Sequence, residues 1–123
     1  DADGSELRPL PARVVNKLDW TPAHIRLVRN GMRDVVMSPR GTGRLAGVPG
    51  VEMAGKTGTA EYGKKGEGHK IAWMIAFAPF DHPRYAVVLM VEEGVTGGTT
   101  AAPKMKKIMT GLFKPAPRLE GEG

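Results

Sequence analysis

The chain has 123 residues, a formal net charge of +5, 41% hydrophobic residues and no cysteine. That is one domain's worth of sequence or a piece of a larger one, with apolar content enough for a packed core. It excludes a disulfide framework and thiolate metal sites. Three scattered histidines make no ligand cluster, so neither a metal nor another cofactor is expected. The basic residues are dispersed and lack interleaved aromatics, which argues against nucleic-acid binding. No apolar stretch approaches the length of a membrane span, and the polar amino end is not a signal peptide.

In chain order, residues 1–19 carry little periodic signal. Asp3-Gly4 reads as a turn, and Pro9 and Pro11 hold an extended lead-in. Thr21-Pro22 is a helix start, with threonine as N-cap and proline at the first helical position. Ile25, Val28, Met32, Val35 and Val36 then recur at spacings of three and four, giving an amphipathic helix that Ser38-Pro39 stops. His24 on this helix reads as a surface histidine. Arg40-Gly41-Thr42-Gly43-Arg44 lacks the glycine spacing and Lys-Ser/Thr ending of a phosphate loop and reads as a tight connection.

A strand is expected over Val51 to Ala60, and a mobile polar hairpin loop over Glu61 to Lys70. Two nearly continuous apolar strands follow, Ile71 to Ala78 and Tyr85 to Val91, joined by a short turn at Asp81-His82-Pro83. Continuous rather than alternating apolarity implies that both faces of these strands are covered by helices. Gly94 to Thr100 reads as a loop. A second helix begins near Ala101, with Ala101, Met105, Ile108, Met109 and Leu112 as its apolar stripe and Lys104, Lys106 and Lys107 on a solvated face. Residues 114–123 should be a disordered tail. The fold class is therefore α+β, an antiparallel sheet of about three strands flanked by helices over residues 20–113. Two helices cannot fully cover such a sheet, so further structure is expected from elsewhere.

The stretch that concentrates chemistry is Ala54-Gly55-Lys56-Thr57-Gly58-Thr59-Ala60-Glu61. In a strand, Thr57 and Thr59 point to one face and Lys56 to the other. Gly58 lets another backbone or a ligand approach closely. A cation, two hydroxyls and an open strand edge suit an extended peptide bearing a carboxylate. Glu61, Tyr62 and His69 border this stretch and read as loop residues, and Trp73 reads as core or cleft wall.

The motif, the two apolar strands and the helix after them resemble the penicillin-binding proteins, serine D,D-transpeptidases that carry Ser-x-x-Lys, Ser-x-Asn and Lys-Thr-Gly motifs. The likeness is to the class B enzymes, and among them to the penicillin-binding protein 2 type that serves cell elongation. Gly31-Met32 with Val35-Val36 and Gly41-Thr42 resembles that family's helix before the motif strand. Ala76-Phe77-Ala78-Pro79, Pro83 with Tyr85-Ala86-Val87-Val88, Glu92-Glu93-Gly94, and Gly97-Gly98 to Ala101-Ala102-Pro103 resemble its later elements. The resemblance runs from about Trp20 to Phe113 and implies the C-terminal portion of a penicillin-binding and serine β-lactamase-like transpeptidase fold.

By that resemblance, Lys56 assists proton transfer and attracts a terminal carboxylate, and Thr57 and Thr59 hydrogen-bond it. Thr59 also lends its backbone N–H to an oxyanion hole, and Gly58 lets substrate lie against the strand. The implied partners are peptidoglycan stem peptides ending in D-Ala-D-Ala, β-lactam antibiotics, an upstream part of the same transpeptidase and the cell-elongation machinery. The implied location is the periplasmic face of the bacterial inner membrane, with an anchor outside this sequence. One departure stands out. The two serines, Ser5 and Ser38, begin neither Ser-x-x-Lys nor Ser-x-Asn, so the chain alone lacks a nucleophile. A different class stays open beside the enzyme: a non-catalytic module that keeps the fold remnant as a peptide- or partner-binding surface.

Overall fold

The computed structural model describes residues 13–64 and 67–114. Helix α1 spans Pro22–Met37, strands β1, β2 and β3 span Ala54–Tyr62, His69–Ala78 and Tyr85–Glu92, and helix α2 spans Ala102–Phe113. The sheet is antiparallel in the order β1-β2-β3, which leaves β1 at an edge. The expected α+β class and strand order are therefore what the structure shows. Residues 1–12 of the expected lead-in and 115–123 of the expected tail lie outside the described residues.

Local chemistry accounts for the helix ends. The Thr21 hydroxyl accepts from the His24 backbone N–H at 3.3 Å, satisfying one of the orphan donors of α1, and Pro22 occupies its first turn. After Ser38 the chain folds back at once. Gly43 N–H donates to the Val35 carbonyl at 2.9 Å, and a 3₁₀ turn over Arg44–Ala46 leads toward β1. Arg29 donates to the Phe80 carbonyl and packs over the Phe77 and Phe80 rings, while Arg33 pairs with Glu52. These contacts tie the middle of α1 to the ends of the strands.

One apolar cluster holds the layers together. Ala72, Met74, Ala76 and Ala78, alternate residues of β2, meet Val36 of α1, Ala46, Met53, and Ala101, Ala102, Met105 and Met109. The largest side chains wholly withdrawn from water are four methionines, Met53, Met74, Met105 and Met109. Unbranched thioethers fill irregular gaps well, which suits a core assembled from a loop, a strand and two helices.

Three expectations need correction. The apolarity of β2 and β3 implied helices over both faces, yet the face bearing Ile75, Val88 and Met90 is exposed at 42%, 67% and 45%. Both helices contribute to the single cluster around Met74 on the other face, and α1 reaches this one only at its margin, where Arg29 packs over Phe77 and Met32 lies beside Ile75. The loop expected over Glu61 to Lys70 is shorter. Glu61 pairs with Lys70 and Tyr62 with His69, so the strands run on until glycines at positive φ, Gly63 and Gly68, turn the chain. The loop expected over Gly94 to Thr100 contains a π-helical turn, Gly97–Ala101, that runs directly into α2.

Candidate active site

The strand register sets the site. Thr57 lies opposite Met74 and Thr59 opposite Ala72, so both hydroxyls project from the face that carries the core. Lys56 lies opposite Ile75 on the other face. Thr57, Gly58 and Thr59 line an open cleft of about 430 Å³ together with Thr42, Thr96, Gly97, Gly98 and Thr99.

Glycine at 97 is what lets the π-helical turn close on the strand. A Cβ there would sit 2.5 Å from the Trp73 carbonyl oxygen and 2.6 and 2.8 Å from Gly58 O and N. The backbone that approaches Gly58 is thus the chain's own π-helical turn. At that junction the Gly97 N–H donates to the Thr59 hydroxyl at 3.3 Å. The Thr96 hydroxyl accepts from the Thr99 N–H at 3.1 Å, and its Oγ1 lies 2.8 Å from that of Thr99.

Hydroxyl bookkeeping shows what the cleft can do. Thr59 Oγ1 already accepts a hydrogen bond from Gly97, so its own proton is left to donate. Thr42 and Thr57 share one hydrogen bond, their oxygens 2.8 Å apart, and the second proton of that pair is left over. Two O–H donors, one from Thr59 and one from the Thr42–Thr57 pair, face a cleft whose walls are uncharged. Their natural complement is an acceptor-only group such as a carboxylate.

The structure brings Thr57, Gly58 and Thr59 together and leaves Lys56 outside the cleft lining. The exposed Lys56 Nζ instead donates to the carbonyl of Thr57 at 2.5 Å. Thr42, Thr96 and Thr99 went unrecognised in the sequence. The only signal for them was threonine beside glycine in connections, at Gly41-Thr42-Gly43 and Thr96-Gly97-Gly98-Thr99.

Beyond the cleft, a second polar cluster closes the ends of all three strands. Tyr62 OH donates to Glu93, His69 Nδ1 lies 3.1 Å from Glu93 Oε1, and the Tyr62 and His69 rings stack with centroids 5.3 Å apart. Glu93 sits in the left-handed region at φ 52°, just past β3. The hydrogen bond from Tyr62, then that of His69, holds the Glu93 carboxyl below its ordinary value, while the same bond to Glu93 raises the Tyr62 phenol. Among the described residues no group of three or more His, Asp or Glu is placed to hold a metal ion, and no helix is long and apolar enough to cross a membrane.

Residues 7–110 match the penicillin binding protein transpeptidase domain family. The chain belongs to this family. Among its relatives is the peptidoglycan D,D-transpeptidase MrdA of Haemophilus influenzae, 36% identical over 94 residues, which cover 66% of this chain and 14% of the relative. The PBP2 structure from Pseudomonas aeruginosa aligns with a TM-score of 0.74 and 33% identity over 94% of this chain and 25% of that one. The PBP2 of Helicobacter pylori in its complex with MreC aligns with a TM-score of 0.59 and 29% identity, over 74% and 17% of the two chains. The class B resemblance read from the sequence, and the penicillin-binding fold it implied, are both borne out. The chain spans about a seventh of the MrdA relative's length.

Proposed function

We propose that this chain is the C-terminal part of the transpeptidase domain of a peptidoglycan D,D-transpeptidase of the cell-elongation type. The observation that carries the reading is the pair of hydroxyls, Thr57 and Thr59, on a Lys-Thr-Gly strand and facing one cleft. In this reading a serine from an upstream Ser-x-x-Lys motif attacks the carbonyl of the penultimate D-Ala. The serine oxygen–carbon bond forms, the bond to the terminal D-Ala nitrogen breaks, and that D-Ala leaves with a proton. The amine of a second stem peptide then attacks the ester, forming the cross-link amide and returning the serine.

The residues of this chain position and stabilise. Thr57 and Thr59 donate to the terminal carboxylate. The Thr59 backbone N–H takes the developing oxyanion together with an N–H outside this chain, and one such donor contributes about 3–4 kcal/mol to the transition state. Lys56 supplies positive potential on the strand and assists proton transfer once the motif-bearing segment covers its face. β-Lactams enter by the same carboxylate and carbonyl contacts and stop at the acyl-enzyme. The complete protein is placed at the periplasmic face of the inner membrane, held by an anchor outside this sequence. Similarity to a PBP2 captured with MreC supports an elongation-machinery partner.

The test uses the complete transpeptidase and a fluorescent penicillin. The wild type should label, and Lys56→Ala should slow acylation by about a hundredfold or more while changing the melting temperature little, because the Lys56 side chain is no part of the apolar cluster that holds the layers together. Wild-type acylation in that variant would remove Lys56 from the mechanism, and no labelling of the wild type would remove the mechanism itself.

A further inference from the structure

The hydroxyl face of β1 does not end at Thr59. Strand alternation places Glu61 on the same face as Thr57 and Thr59, one two-residue repeat further, about 7 Å along. Its cross-strand neighbour is Lys70, whose Nζ lies 3.7 Å from Glu61 Oε1, too far for a good hydrogen bond. The Glu61 side chain is 75% exposed, so its carboxylate has room for a second cation. The neighbouring Glu93 is already engaged by Tyr62 and His69.

The direction of the peptide follows from the proposed chemistry, on which this inference rests. The terminal carboxylate lies toward Thr57, and the carbonyl under attack lies at the Thr59 N–H. The acyl-donor peptide therefore runs antiparallel to β1, and the residue just before D-Ala-D-Ala comes level with Ala60 and Glu61. Each stem peptide serves in one turn as acyl donor and in another as amine acceptor, so the donor itself carries a free ammonium. We infer that Glu61 is a specificity-determining residue, selecting acyl-donor peptides whose residue before D-Ala-D-Ala bears a free ammonium side chain. Lys70 opposes that selection, since it lies on the same strand face and competes for the same carboxylate.

The experiment measures D-Ala release by the complete transpeptidase from three N-acylated peptides: Lys-D-Ala-D-Ala, its Nε-acetyl form, and norleucine-D-Ala-D-Ala. The readout is the ratio of kcat/KM for the free amine to that for the acetylated peptide within each enzyme. Any general loss of activity cancels in that ratio. The wild-type ratio should be about three to five, what an exposed ion pair supplies, carried by KM and shrinking as salt is raised. Glu61→Gln should bring the ratio to about one, Glu61→Lys should invert it, and Lys70→Gln should raise it. Norleucine should behave like the acetylated peptide. A wild-type ratio of one, or a ratio unchanged in Glu61→Gln, overturns the inference while fluorescent-penicillin labelling keeps the transpeptidase reading intact. A wild type that does not label overturns both.

Discussion

At the residue scale, the cleft's polarity depends on which hydroxyl protons are already committed. Thr59 accepts from Gly97 and donates to nothing described, so its proton serves the ligand. Thr59→Val keeps the strand preference and the backbone N–H but removes both the ligand's donor and the acceptor of the Gly97 N–H, so Thr59→Ser, which keeps both, is its control. A hydrogen bond to a charged group is worth about 1.5–3 kcal/mol, so penicillin acylation of the complete enzyme should fall roughly ten- to a hundredfold. A smaller fall than threefold would assign the carboxylate to Thr57 and Thr42. Gly97 tests the turn that closes on the strand. Its missing Cβ is what lets the π-helical turn rest on Gly58 and Trp73, since a Cβ there would lie only 2.5–2.8 Å from their backbone atoms. Gly97→Ala should cost about 1–3 kcal/mol, as overpacking against rigid backbone does. Thermal unfolding of the variant checks this, with Gly111→Ala as the comparison, where an added Cβ meets nothing within 4 Å and a helical Gly→Ala change should stabilise by up to about 1 kcal/mol.

At the element scale, the β1–β2 hairpin is closed by the Tyr62–Glu93–His69 cluster, and its pH dependence has a definite sign. Glu93 is held below its ordinary value, so its contribution is present above the ordinary carboxylate range and is lost as pH falls through the lowered value. Tyr62 is raised, so its contribution is present below the ordinary phenol range and is lost as pH climbs through the raised value. Amide exchange at the hairpin end should therefore be faster in Tyr62→Phe than in wild type at neutral pH, and the two should converge toward acid. A gap that stays constant into acid would show that the Tyr62–Glu93 bond does not close the hairpin.

The same hairpin shows where the sequence was legible. Apolar runs located β2 and β3 within two residues. The polar Glu61, Tyr62, His69 and Lys70 read as loop because they extend the strands through cross-strand pairing and contacts with solvent, which hydrophobicity cannot register. Lys56, Thr57, Gly58 and Thr59 were legible because strand alternation and a known motif coincide there. Thr42 and Thr96 were not, since they face the cleft only after α1 folds back and Gly97 docks on Gly58.

At the scale of the whole molecule, the sheet is the feature left unfinished. Ile75, Val88 and Met90 stand in register across β2 and β3 on the face that the described helices cover only at its margin, with half-buried Trp73 and Phe77 beside them. Soluble monomers rarely present a contiguous apolar surface of this kind, so a stand-alone binding module is a poor fit. The transpeptidase reading supplies the cover from the rest of the domain, on the face that also carries Lys56. Val88→Lys separates the two readings, because the residue is 67% exposed in this chain. In the isolated 123-residue chain the substitution should leave the unfolding free energy within about 0.5 kcal/mol of wild type and reduce self-association. In the complete transpeptidase the same lysine would be driven against an apolar partner and should cost about 2 kcal/mol or more. Equal tolerance in both proteins, read by thermal unfolding, would mean that the face stays open in the complete enzyme. The cover must then lie elsewhere, and Lys56 would remain in solvent with no segment brought to its side of the strand.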